Sequence, residues 1–271
     1  QIKELPAEFG EEGYETGVRK YMKGHSIYDF YLYAFEGIDK SNGRSLYRLD
    51  DITYFINEPD YKGTGASIGD DEDRLALESK NYTIIDGQAY VYNTSFAKKD
   101  YFDSAIPKAY GSFTSSLRWK NFSLSALLTY QLGGKMIDNS YMSLMSIGTT
   151  PGALHKNLLN SWTPEQAGTG IDKDGMPALN TTQSSFNNST SSRFIMSSDY
   201  LTIKNITLGY ALPQNVISKV GLSGVRLTAS VDNLAIFTKM QGLNPQQSFG
   251  GVTYNAYVPA RVAILGINVQ F

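Results

Sequence analysis

The sequence predicts an all-β protein laid out as an antiparallel up-and-down sheet, and three observations predict it. Several runs alternate apolar and polar residues with a period of two, the spacing that sends neighbours to opposite faces of a strand. The polar faces of those runs are dominated by small residues such as Ser112, Ser116, Ser123, Ser125, Thr228 and Ser230, with few Lys or Glu. The connections between runs alternate long and short, as they do when turns gather at one end of a sheet and loops at the other. Periodicity does not say which face meets water. A transmembrane β-barrel turns its apolar face to lipid and its polar face to a wet lumen, and a soluble sandwich does the reverse.

Taken in order, "SIYDFYLYAFEG" and "RSLYRLDDITYF" bracket the turn-like "IDKSNG" at 38–43 and are strand candidates with untidy alternation. Residues 57–108 form a long connection with no obvious strand. "AYGSFTSSLRW" then sets Phe113, Leu117 and Trp119 against Tyr110, Ser112, Thr114, Ser116 and Arg118. "FSLSALLTYQL" sets Phe122, Leu124, Ala126, Leu128, Tyr130 and Leu132 against Ser123, Ser125, Thr129 and Gln131. Only Lys120 and Asn121 separate these two runs, which predicts a tight hairpin.

A second long connection covers 134–197. "SDYLTIKNITLGYALP" follows, apolar on odd positions at Leu201 and Ile203 and on even positions from Ile206 onward. That parity switch predicts a bulge near Lys204 and Asn205. "VRLTASVDNLAIF" switches in the same way at Asn233 and Leu234. A modest connection at 214–224 separates the two, and a third long one spans 238–259. The closing run "RVAILGINVQF" puts Ala263, Leu265, Ile267, Val269 and Phe271 on one parity, so the chain ends on an aromatic residue along a strand rather than on a polar tail.

Bulk composition narrows the class. Charged residues make up 18% and aromatics 13% of the 271 residues, with 19 Tyr against 2 Trp. Sparse charge is unusual for soluble strand surfaces, and Tyr and Trp near strand ends suit an interfacial girdle. The net charge of −2 with no basic stripe argues against nucleic acid. No Cys is present, so disulfides and thiolate metal sites are excluded. No signal peptide is read ahead of Gln1, which makes a mature product or a piece of something longer the expectation. No apolar run approaches the roughly 18 residues of a spanning helix, whereas barrel strands need only about 9–11.

At these residues the sequence resembles the SusC/RagA-like TonB-dependent transporters of the Bacteroidetes outer membrane. The stretches that carry the likeness are "GHSIYDFYLYAFEGIDKSNGRSLYRL", "IPKAYGSFTSSLRWKNFSLSALLTYQLGGKMID", "SSRFIMSSDYLTIKNITLGYALP", "VRLTASVDNLAIFTKMQGLNP" and "YVPARVAILGINVQF". They run in family order from about Gly24 to Phe271. Two departures are Thr202, where the family usually has Arg, and Asn244, where Asp is commoner.

The resemblance implies the C-terminal part of a TonB-dependent transporter β-barrel over 1–271, in the cell outer membrane. About seven or eight strands with long extracellular loops are expected. A complete barrel of that family would have roughly 22 strands around a plugged lumen, so the plug and N-terminal strands are expected to lie outside this sequence. It also implies an assembly signal at Leu265, Ile267, Val269 and Phe271, read by strand pairing. The implied partners are outer-membrane lipid, the remaining barrel strands, TonB through the missing N-terminal part, and a SusD-like surface lipoprotein acting as a lid. A dimer of transporter–lipoprotein pairs is expected, with oligosaccharides or oligopeptides as cargo.

Within 134–197, Tyr141, Met142, Met145, Leu158, Leu159 and Trp162 could form an apolar face. It would serve either internal packing or lid contact. "NTTQSSFNNSTSSR" is expected to be a solvated or lumen-adjacent loop. No metal or cofactor is expected: "DDEDR" at 70–74 and "DKDG" at 172–175 lack a full Ca²⁺ ligand spacing with a distal Glu. No enzyme is expected either, since only His25 and His155 occur, far apart, and no nucleophile or phosphate-loop motif is present. The alternatives are a soluble secreted carbohydrate-binding β-sandwich and a β-rich glycoside hydrolase fragment.

Overall fold

The computed structural model describes residues 1–49, 81–148, 152–240, 244–253 and 258–271. Their strands, in chain order, begin with β1 (Tyr14–Thr16), β2 (Arg19–Tyr21), β3 (Asp29–Tyr33), β4 (Phe35–Asp39) and β5 (Ser45–Arg48). Next come β6 (Tyr82–Ile85), β7 (Gln88–Val91), β8 (Lys99–Ser104), β9 (Ala109–Trp119), β10 (Phe122–Leu132) and β11 (Lys135–Asp138). The remainder are β12 (Ile171–Asp172), β13 (Ile195–Ser197), β14 (Tyr200–Ala211), β15 (Gly224–Thr238), β16 (Val252–Thr253) and β17 (Val262–Gln270). Two compact units divide the chain, one from 1–103 with 137–195, the other from 104–136 with 196–271.

The second unit is a five-stranded antiparallel wall in the order β17-β15-β14-β10-β9. Each strand pairs with its neighbour along the chain within the wall, as the up-and-down reading requires. β9 and β10 have 11 residues each. At about 3.4 Å per residue and a tilt near 40° that length rises about 28 Å, enough for the apolar band of about 25 Å that an outer-membrane barrel presents. The Lys120–Asn121 hairpin forms as predicted, with Lys120 in the left-handed region at φ 52°.

The two parity switches prove to be one device. Pairing jumps from Ile203↔Ala235 to Asn205↔Asp232, so Lys204 on β14 faces Asn233 and Leu234 on β15 across a single bulge. Asn233 takes φ 50°, accepts a hydrogen bond from Lys204 Nζ at 3.2 Å and donates from Nδ2 to the Ala260 carbonyl at 3.1 Å. Its amide side chain and tolerance of the left-handed region suit it to that corner.

The expected seven or eight wall strands become five among the described residues. The upstream runs pair elsewhere: β4 and β5 belong to a separate five-stranded sheet, β12-β4-β5-β7-β6, in the first unit. Their untidy alternation has a physical cause. β3 and β5 bury Phe30, Leu32, Leu46 and Tyr47, and β5 is buried on consecutive positions rather than on alternate ones. Tyr47, Leu49, Val91, Phe96 and Ala97 form a core there, with Tyr33, Phe35, Tyr82, Ile84 and Ala89 packed against it.

The connection at 57–108 contains β6, β7 and β8, the first two joined at Asp86 and Gly87, both with positive φ (53° and 79°). This is the turn that "DG" favours in a two-residue hairpin. The "NTTQSSFNNSTSSR" stretch is not simply solvated. Ser184, Asn187 and Ser191 are buried, and β5 is fastened to this segment. The Ser45 amide donates to Asn187 Oδ1, the Ser45 hydroxyl to the Asn187 carbonyl, and the Tyr47 hydroxyl to the Phe186 carbonyl at 2.5 Å. Short amide and hydroxyl side chains are used here to satisfy buried backbone. Among the described residues no helix is long and apolar enough to cross a membrane.

Candidate functional site

The wall has two chemically distinct faces, and cross-strand register builds them. One row reads Trp119, Phe122, Tyr210, Leu227 and Ile267 across the five strands. The next reads Leu117, Leu124, Leu208, Ala229 and Leu265, and the one after it Ser115, Ala126, Ile206, Val231 and Ala263. Beyond these lie Phe113, Leu128, Ile203 and Ala235, then Gly111, Tyr130, Leu201 and Phe237. No row on this face holds a charge.

The reverse face reads Arg118, Ser123, Gly209, Thr228 and Gly266, then Ser116, Ser125, Thr207, Ser230 and Ile264. It also carries Asn205 and Asp232, joined by a hydrogen bond of 2.6 Å, and Arg226, whose Nη2 donates to Ser123 Oγ at 2.8 Å.

Exposure shows that no described residue covers the apolar rows, although the reverse face of the edge strands is open as well, with Tyr110 78% and Ile264 47% exposed. Phe113, Leu117 and Trp119 are 63%, 64% and 68% exposed, and Leu265 and Ile267 are 86% and 73% exposed. A soluble sandwich would bury these rows, at about 1.5–3 kcal/mol for each large side chain. Here the apolar rows lie uncovered, as those of a lipid-facing wall do.

The proposed assembly-signal residues sit on the edge strand of this apolar face. Leu265, Ile267 and Val269 pair with Ala229, Leu227 and Val225, and Phe271 is 96% exposed. Ser223 holds the end in place, its amide donating to the Gln270 carbonyl and its hydroxyl to the Phe271 carbonyl, at 2.9 and 3.0 Å.

The six loop residues read as an apolar face do not remain one surface. Met145 and Leu158 are buried within the first unit. Tyr141 lies edge-on to His155 and accepts a hydrogen bond from Asn157, while Met142 accepts one from the Thr190 hydroxyl. The Trp162 indole N–H donates to the Lys40 carbonyl, and its ring lies so close to Gly43 that a Cβ there would come within 2.5 Å. Leu159 is the exception, 89% exposed. Sequence spacing could not separate these roles, because the segment turns as an α-helix at Asn139–Met145 but as a 3₁₀ helix at Lys156–Asn160.

Other sequence features find structural places. Asp39 is buried in the "IDKSNG" turn, accepting from the Ser41 amide and hydroxyl, Asn42 and Tyr92. Asp172 accepts from the Asp174 amide, closing the "DKDG" turn on itself. "DDEDR" lies outside the described residues. Asn244 caps the turn Pro245–Gln247 by accepting from the Gln246 amide, and Thr202 is buried on the polar face opposite Thr129.

No model of a known protein family matches the chain. The TonB-dependent receptor P3 of Formosa agariphila is 24% identical over 260 residues, covering 92% of this chain and 22% of the receptor. The TonB-dependent receptor SusC of Bacteroides thetaiotaomicron is 26% identical over 258 residues, covering 92% of this chain and 23% of SusC. Among solved structures, the RagAB peptide importer in its "closed-closed" state matches with a TM-score of 0.69 at 22% identity, over 97% of this chain and 25% of that one.

The fold is that of a TonB-dependent transporter barrel. The chain resembles a stretch of such a barrel, and it spans about a quarter of the length of the curated relatives it matches. A TonB-dependent transporter barrel belongs to the outer membrane. The relatives are named for reception or import and not for catalysis.

Proposed function

We propose that this chain is part of the wall of an active importer in the outer membrane, one that takes up oligosaccharides or oligopeptides under TonB coupling. The observation that carries the reading is the wall itself: five strands with uncovered apolar rows and a polar reverse face. The chain supplies lipid-facing wall and loops over 1–271; the plug, the TonB contact and further strands belong to the rest of the polypeptide. With Phe271 at the periplasmic end, Lys120–Asn121 and 214–224 are periplasmic connections, and 57–108, 134–197 and 238–259 are extracellular. Leu265, Ile267, Val269 and Phe271 then present an edge that barrel-assembly machinery reads by strand addition. A SusD-like lipoprotein closes the mouth, with Leu159 the one of the six loop residues most available to it, and transporter–lipoprotein pairs dimerise.

The test is uptake of labelled oligopeptide and labelled oligosaccharide by cells expressing the full-length protein, with and without TonB. Uptake of one cargo class, lost when TonB is removed, is expected. Undiminished uptake without TonB overturns the proposal.

A further inference from the structure

Within the first unit a cavity of about 360 Å³ is lined by Phe35, Tyr141, Lys173, Asp174, Met176 and Arg193, among others. That volume suits a ligand the size of a sugar or a dipeptide. A second cavity of about 230 Å³ shares Gly175 and Met176 with it and adds Lys40.

Arg193 is the unusual member. Its Nη1 donates to the Asn187 carbonyl and to Asn188 Oδ1, at 3.0 and 3.2 Å, and its Nη2 lies 3.0 Å from Met176 Sδ. Its flat cation lies 5.7 Å from the Phe35 ring centre and 5.2 Å from that of Phe194. All of these neighbours are neutral, and among the described residues no carboxylate pairs with Arg193. Burial lowers its pKa below the usual guanidinium value. A guanidinium held away from water is stabilised when an anion pairs with it, and its planar fork matches a carboxylate in two-point contact. Lys173 is exposed and lines the same cavity, as does one carboxylate-bearing residue, Asp174.

We propose that this cavity binds the carboxylate group of a small organic anion, with Arg193 as the counter-charge and Lys173 as a second, outer cation. The chemistry is shared by sugar acids and by the free C-terminus of a short peptide. The site does not depend on the transport reading, since it is defined by the cavity alone.

The experiment is a thermal-shift titration of the full-length protein in detergent at constant ionic strength. The probes are glucuronate against glucose, and dialanine against dialanine amide. Saturable stabilisation by glucuronate or by dialanine, without a response to its neutral-ended counterpart, is expected, and the pair that responds identifies the source. Lys173→Gln leaves the ligand-free melting temperature in place and weakens binding roughly two- to five-fold, the worth of one screened charge. Arg193→Lys keeps the charge but loses the fork, and weakens binding further. The proposal is overturned if neither anion gives a saturable response, if the neutral counterparts respond equally, or if both variants bind as the parent does.

Discussion

Asn233 shows what a single residue contributes to the wall. It holds φ 50° at the bulge and ties Lys204 to the Ala260 carbonyl. Asn233→Gly keeps the backbone but removes both hydrogen bonds, and is expected to cost about 1–2 kcal/mol. Asn233→Val adds a β-branched side chain in the left-handed region, at about 1–3 kcal/mol more. Urea unfolding midpoints in detergent should rank parent above Gly above Val, and a Val variant as stable as the Gly variant would refute the role.

Tyr47 makes a second residue-scale case. Burial pushes its hydroxyl up to about 12, above the usual 10 of an unfolded tyrosine. The raised value stabilises the fold in full below pH 10. Above that pH the unfolded chain gives up this proton while the folded chain keeps it, so stability falls through the window from 10 to about 12. The loss amounts to about 2–3 kcal/mol for one such group. Tyr47→Phe should flatten that part of the curve, and an unchanged alkaline slope in the variant would count against it.

At the scale of the element, strand alternation converts a period of two into a membrane surface. Ile206 lies in the third apolar row, between Ala126 and Val231, while its neighbour Thr207 points to the polar side. Ile206→Lys is expected to cost about 2–4 kcal/mol in lipid vesicles, the worth of a lysine near the midplane. Thr207→Lys should cost far less, because that face is wet. Equal costs would mean that the faces have been assigned the wrong way round. The hairpins show how much of an element is readable. Lys120–Asn121 was legible because both flanking strands are long, at 11 residues each, and apolar on one side, so their alternation is clean. β6 and β7 were not, although "DG" at 86–87 is a strong turn signal. Their strands are short, at 4 residues each, and leave little room for a period to show.

For the whole molecule, the wall has free edges at β9 and β17 among the described residues. Open edges are costly in lipid, where unpaired backbone groups find no water. In the proposed importer, further strands of the barrel meet them. Deleting Phe271 from the full-length protein is expected to lower the amount of folded barrel in outer-membrane fractions, as read by heat-modifiable gel mobility. Ser223 would lose its contact to the Phe271 carbonyl while the rest of the β15–β17 ladder remains. Normal folded levels after the deletion would remove Phe271 from the assembly signal.

The sequence by itself located the five runs that form the wall, the hairpin, the bulge and the order of long and short connections, but not that the upstream runs pair in a separate sheet. The features it located depend on local spacing, which alternation records directly. Only the tertiary structure showed that no described residue packs on the apolar rows, because a period of two is the same whether apolar residues meet lipid or a dry core. Only it separated buried Met145 and Leu158 from exposed Leu159, and only it placed Arg193 beside a cavity. Those facts depend on residues far apart in the chain meeting in space, and no local pattern carries that information.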